Sequence, residues 1–166
     1  MVPARSHKPN DASSILARAT KEFFMNTKIK GNKAESVLLS EFVKREIPVL
    51  LPFGDNEPYD MVIEIGGQLK KVQVKSGCFR NGCVVAYTKK KVGFKRVKYE
   101  TYQDKVDYVA IWCEETDNSY LVPNEFLSRV TLHLRVNAPK KNSSSLILWA
   151  KDFCLDSILA KNTLKS

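Results

Sequence analysis

The sequence predicts a mixed α/β (α+β) domain, and three observations carry that prediction. Ala34, Val37, Leu38, Leu39, Phe42 and Val43 recur at helical spacing early in the chain. A pair of alternating stretches, Tyr59–Ile65 and Leu69–Lys75, flanks Gly66-Gly67 and reads as a β-hairpin. Later, 106–113 (VDYVAIWC) is almost wholly apolar, as a strand covered on both faces is. Helix, hairpin and late buried strand together imply a mixed sheet with helices against it.

The 166 residues suffice for one domain with a sizeable core, and 43% hydrophobic content is that of a globular chain. Residues 1–24 differ from the rest. Their first dozen are polar, contain two prolines and show no period, so they read as a flexible or non-native extension to a single domain over 25–166. The helix is expected to start at Gly31, with Asn32 as N-cap and Glu35 three residues on in the manner of a capping box, and to stop before Pro48. Glu35 falls beside Leu38, Leu39 and Phe42 on what reads as the inward side, a costly place for a carboxylate unless something satisfies it.

Residues 48–53 (PVLLPF) read as a short strand and 54–57 as a loop. In the hairpin, a two-glycine turn pairs Ile65 with Gln68 and sets Asp60 opposite Gln73. Side chains alternate along a strand, so Lys75 shares the face of Gln73. Register alone therefore gathers Asp60, Gln73 and Lys75. Met61, Ile63, Val72 and Val74 point to the other face and into a core. Beyond the hairpin, 76–82 reads as a turn-rich connection and 83–88 as a strand. The stretch 89–103 reads as basic, aromatic loop ending in a short helix. Residues 120–122 read as extended, 123–127 as a helical turn, 130–136 as a half-buried strand, and 146–159 as a strand or turn followed by a short helix.

Composition narrows the function. The formal net charge is +9, and from Gly66 to Tyr99 there are ten basic residues and no acidic one. Arg80, Asn81, Lys89, Lys90, Lys91, Lys95, Arg96 and Lys98 are the candidate DNA-binding residues of this block, and Tyr87, Phe94 and Tyr99 lie among them. Such one-sided charge suits a polyanion, with nucleic acid the likeliest one. No stretch resembles a membrane span or a leader peptide, so a cytoplasmic protein is expected. The four cysteines form no CxxC pair and only His7 and His133 could add imidazole, which argues against a zinc site and leaves reduced thiols as the expectation.

An acid, an amide and a lysine beside a basic surface suit phosphodiester hydrolysis. That reaction needs an activated water, charge neutralisation on the phosphate and a proton path. Asp60, the Gln73 side-chain oxygen and the Val74 carbonyl are hard oxygen donors of the kind Mg²⁺ takes, with Mn²⁺ or Ca²⁺ as substitutes. Lys75 can orient or deprotonate the water and balance charge on the phosphate.

These residues carry a resemblance. Asp60, then Gln73-Val74-Lys75 thirteen residues on, with Glu35 on the preceding helix, resembles the PD-(D/E)XK nuclease superfamily. In this chain Pro58 is displaced by one residue from the motif's place, and Gln73 stands where the second acid belongs, which removes a negative ligand. The block MNTKIKGNKAES, the glutamine variant and the length from Met25 onward are similar to the cyanobacterial group I tRNA-intron-encoded homing endonuclease branch. That resemblance implies a restriction-endonuclease-like αβββαβ core and Mg²⁺-dependent double-strand cleavage at a specific site in a bacterial cell. It also implies a catalytic set of Glu35, Asp60, Gln73 and Lys75 and a homotetramer, a dimer being the simpler alternative. No LAGLIDADG or GIY-YIG block is present, and two scattered histidines cannot form an HNH site. A junction-resolving or restriction-type nuclease, and a DNA-binding module with a decayed site, remain the rival expectations.

Overall fold

The computed structural model describes residues 12–54, 56–92, 98–102, 104–127, 130–139 and 146–163, and the side chains of 12–26, 90–92, 98–100 and 162–163 are left out of the description. Helix α1 (Ala12–Lys44) leads into β1 (Val49–Leu50), β2 (Met61–Ile65), β3 (Gln68–Arg80) and β4 (Cys83–Tyr87). A separate ribbon of β5 (Lys89–Val92) and β6 (Lys98–Thr101) follows. Then come β7 (Tyr108–Cys113), β8 (Asn118–Pro123), β9 (Thr131–Arg135) and helix α2 (Leu155–Thr163).

The hairpin forms in the register its glycines dictate. Gly66 and Gly67 both have positive φ, 58° and 70°, which a primed two-residue turn requires. Met61 pairs with Val72 and Ile65 with Gln68. β3 extends beyond the expected end at Lys75. It runs thirteen residues to Arg80, through the stretch that reads as a connection. Its turn is instead Asn81-Gly82, again with both φ positive, and Arg80 pairs with Cys83 across it. This length makes β3 the hub of a seven-stranded mixed sheet. Its first part pairs antiparallel with β2, its middle parallel with β7, and its end antiparallel with β4. β1 flanks β2, β8 flanks β7 and β9 flanks β4. All six residues of β7 are buried, as a continuous apolar run in a central parallel position demands.

Helix α1 lies against β3 and β7. It begins well before Gly31, so Asn32 sits inside it rather than capping it, and its carbonyl accepts from Ser36 Oγ at 2.9 Å. The stripe that faces the sheet is Ala34, Leu38 and Phe42, one residue per turn and all fully buried. Burying Leu38 and Phe42 contributes about 1.5–3 kcal/mol each, enough to fix the helix on the sheet. Glu35 lies a third of a turn from that stripe and is therefore exposed, not inward. Past the last helical residue, Lys44, Glu46 turns the chain with a left-handed φ of 57°, and Ile47 N–H bonds back to the Phe42 carbonyl just before Pro48.

The crossover from β3 to its parallel partner β7 carries the β5–β6 ribbon where an αβββαβ order places a helix, and where the sequence suggests a short one. Lys89 faces Thr101 and Val92 faces Lys98, and no helix lies between β4 and β7 among the described residues. The α+β class with a mixed sheet holds, and the second helix follows β9 instead. Arg45 ties the two helix ends together, bonding Glu41 at 2.6 Å and Asp156 at 2.7 Å. Among the described residues no helix is long and apolar enough to cross a membrane.

Candidate active site

Asp60 stands one residue before β2 and extends its ladder, its N–H bonding the Val72 carbonyl at 2.9 Å. That holds its carboxylate over the middle of β3. The Asp60 Oδ2 accepts the Val74 backbone N–H at 2.6 Å and also accepts Gln73 Nε2. The same Gln73 nitrogen lies 3.3 Å from the Val74 carbonyl oxygen. Gln73 is buried, with 7% of its surface exposed, whereas Lys75 is half-buried. So the acid, the amide and the Val74 carbonyl converge on one point, as the hairpin register requires.

Glu35 reaches this site from the helix. It lines a cleft of about 350 Å³ together with Asn32, Ser36, Leu39, Leu51, Asp60 and Met61. The expectation that it is buried fails, while its place beside Asp60 is kept. An exposed carboxylate at the cleft edge carries no desolvation cost.

Lys75 has a partner that the sequence does not disclose. Its Nζ lies 4.8 Å from the centre of the Tyr102 ring and 3.4 Å from the Tyr102 hydroxyl. Tyr102 is buried and immediately follows β6. The ring face and the hydroxyl oxygen both favour the ammonium. At the other end of the ribbon, Thr88 joins β4 to β5, and its N–H bonds the Val130 carbonyl at 3.0 Å. The Tyr102 root of the basic ribbon therefore stands beside Lys75. Tyr102 lies in a tract that reads as basic and aromatic, but only tertiary structure selects it over Tyr87, which is exposed.

The remaining basic candidates spread away from this point. Arg80 and Asn81 are exposed at the far end of β3. Arg80 lies five residues past Lys75, or roughly 16 Å at the rise of a strand, and Asn81 follows it. Asn81 serves the turn through its left-handed backbone, and its carbonyl accepts from Arg135 Nη1 at 3.2 Å. Lys89, half-buried, Lys90 and Lys91 belong to β5 and Lys98 to β6, whereas Lys95 and Arg96 lie outside the described residues, as does Phe94.

Burial raises the Asp60 carboxyl above its ordinary pKa, while the Val74 N–H and the Lys75 charge pull it back. A carboxylate that is short of solvent and partly compensated is prepared for a cation. The donor set fits a hard, oxygen-ligated divalent ion: Asp60 Oδ2 and the Val74 carbonyl already converge, the Gln73 amide lies within reach, and Glu35 borders the same cleft. Among the described residues no three acidic, histidine or cysteine side chains gather as a metal cluster. The glutamine at 73 explains this, because it replaces a carboxylate by an amide. The free cysteines are no alternative, since burial pushes the thiols of Cys113 and Cys154 up and away from the thiolate form.

A family profile described as PD-(D/E)XK endonuclease matches residues 25–156. The chain belongs to the PD-(D/E)XK endonuclease family. The match takes in α1 from Met25 on, the hairpin, the ribbon and the buried parallel strand, so every residue of the candidate site of this endonuclease lies within it. Among solved structures the endonuclease is similar to the bacterial homing endonuclease I-Ssp6803I, with a TM-score of 0.66 and 24% identity. The likeness covers 84% of this chain and 97% of that one and shows a shared fold. No curated protein sequence matches.

Proposed function

We propose that this endonuclease cuts both strands of double-stranded DNA at a specific site, using Mg²⁺, in the manner of an intron-encoded homing enzyme. The observation that carries the proposal is the convergence of Asp60 Oδ2, the Gln73 amide and the Val74 carbonyl beside Lys75. The family match supports hydrolysis of DNA, and the likeness to I-Ssp6803I supports the homing role. A family match that begins at residue 25 supports a single catalytic domain over 25–166.

In this reading Asp60 is the direct charged ligand, with the Val74 carbonyl, the Gln73 side-chain oxygen and Glu35 completing the oxygen set. The ion would polarise the scissile phosphate and lower the pKa of a water. Lys75 orients that water or takes its proton, and offsets charge that builds on the phosphate. Tyr102 holds the lysine in place from beneath. The ribbon lysines neutralise backbone phosphates, while Arg80 and Asn81 at the end of β3 offer hydrogen bonds to base edges. A subunit of this size spans only part of a long target. Two-fold pairing, as a dimer or within a tetramer, would place one site on each strand.

Cleavage and binding of a linear duplex should separate under mutation. Lys75→Ala and Asp60→Ala are each expected to lower Mg²⁺-dependent cutting by at least about a hundredfold, since general acid–base roles contribute on that order. Lys75→Ala should leave duplex affinity within a few fold, because its work falls in the transition state. Full activity in both variants would reject this site. A parent that binds duplex and never cuts would instead favour the decayed-site reading, to which the missing acid at position 73 lends its one argument.

A further inference from the structure

The Gln73 amide poses a conflict that a carboxylate at this position would not. In the structure its nitrogen, not its oxygen, faces Asp60 Oδ2 and the Val74 carbonyl. Both neighbours are acceptors, and the Val74 N–H is already spent on the same Asp60 oxygen. Only a donor can stand between them. With the amide turned round, its oxygen would meet two oxygens and no proton, at a buried position where water cannot relieve the repulsion. A divalent cation bound to the same two oxygens would demand the opposite: Nε2 would face a positive ion, and only Oε1 could coordinate it.

We infer that Gln73 is a two-state residue: without metal its NH₂ group bridges Asp60 Oδ2 and the Val74 carbonyl in the cation's place, and metal entry turns the amide to present its oxygen. This rests on the metal-site reading above and adds a function to the residue that departs from the motif. The partial positive charge of the amide protons does weakly what the ion does strongly, holding two converging oxygens together. A glutamate here could not do so. It would set two carboxylates and a carbonyl against one another and depend on an ion, or on a proton, to fold the site tightly. The glutamine thus exchanges affinity for the ion against a site that is assembled before the ion arrives. Releasing the amide's two hydrogen bonds becomes part of the cost of metal binding.

The test follows the Gln73 side-chain amide by ¹⁵N NMR in the full chain, with Ca²⁺ as the probe so that DNA hydrolysis plays no part. The resonance pair is assigned by its loss in Gln73→Met, or in Gln73→Glu if the first variant does not fold. In EDTA the pair should exchange with solvent at least about tenfold more slowly than the exposed Gln68 amide. Under Ca²⁺ it should shift and exchange faster, with the midpoint that calorimetry gives for binding. Gln73→Glu should unfold at a lower temperature than the parent in EDTA near pH 8 and gain more from Ca²⁺ than the parent does. A Gln73 amide as fast as Gln68 in EDTA overturns the donor state even if Ca²⁺ binds. Binding of Ca²⁺ that leaves the pair unmoved overturns the turn of the amide while sparing the metal site. Absence of Ca²⁺ binding overturns the metal-site reading itself, and the exchange of roles with it.

Discussion

Asp60 is costly to keep ionised in the folded chain. Burial raises its pKa, and neither the Val74 N–H nor Lys75 cancels that effect. A carboxyl whose folded pKa lies above its unfolded value binds its proton more tightly in the native state, so the ionised form weakens the fold at pH values above that raised pKa. The penalty fades as pH falls through the folded pKa and is gone below the ordinary aspartate value of about 3.9. Asp60→Asn keeps an oxygen to accept from Val74 and Gln73 and removes the charge. In EDTA at neutral pH it should unfold at a higher temperature than the parent, although it cannot cut. On acidification toward about pH 4 the difference should close. A neutral-pH melt in which the parent is as stable as Asp60→Asn would show that the pocket tolerates the charge. On the role proposed for Asp60, stability given up there is the trade that catalytic sites commonly make.

Among the elements, β3 decides most of what surrounds it, and Gly77 is its tightest point. There the strand leaves β7 and joins β4, pairing Gly77 with Cys113 just before Cys78 pairs with Val85. A Cβ on Gly77 would sit 3.0 Å from a methyl of Ile111 and 3.0 Å from a methyl of Val84. The backbone there is not left-handed, so Gly77→Ala faces two opposed effects. Stiffening the unfolded chain contributes about 0.4–1 kcal/mol, whereas overpacking a filled interior costs typically about 1–3 kcal/mol. The second is larger, and chemical denaturation should show a net loss of stability; an unchanged or higher midpoint would mean that β4 and β7 move apart freely. This crossing also marks the limit of what the sequence discloses. Hairpin register, and with it Asp60 against Gln73, follows from two glycines and a period of two, both local. That Gly77 lies flat inside a long strand does not, because Ser76-Gly77 carries the same local signal as a turn. The decisive contacts are with Ile111 and Val84, far along the chain. Tyr102 and the exposure of Glu35 were hidden for the same reason: one depends on where the ribbon folds back, the other on which third of the helix meets the sheet.

At the scale of the whole molecule, charge and chemistry are arranged around one point. The ribbon that stands between β4 and β7 returns to the sheet beside Lys75, through Tyr102. A strand ribbon suits the proposed role, since two strands fit a DNA groove or follow a phosphate backbone. If those lysines neutralise phosphates, affinity must depend on salt through them. Each phosphate contact contributes a slope of about −0.9 in log K against log salt. Replacing Lys89, Lys90 and Lys91 together by glutamine should therefore flatten the slope by up to roughly three units and weaken all duplexes alike, cognate or not. Arg80 and Asn81, at the far end of β3, offer a contrast. Arginine and asparagine have the paired hydrogen bonds that distinguish base edges, so a change there that touches a base should cost discrimination more than salt slope. Titrations of specific and random duplexes between about 50 and 200 mM salt would measure both quantities in the same proteins. An unaltered slope in the triple lysine variant would remove the ribbon from the interface. The substrate would then have to approach Lys75 from the Glu35 side of the cleft, where α1 rather than the ribbon borders the site.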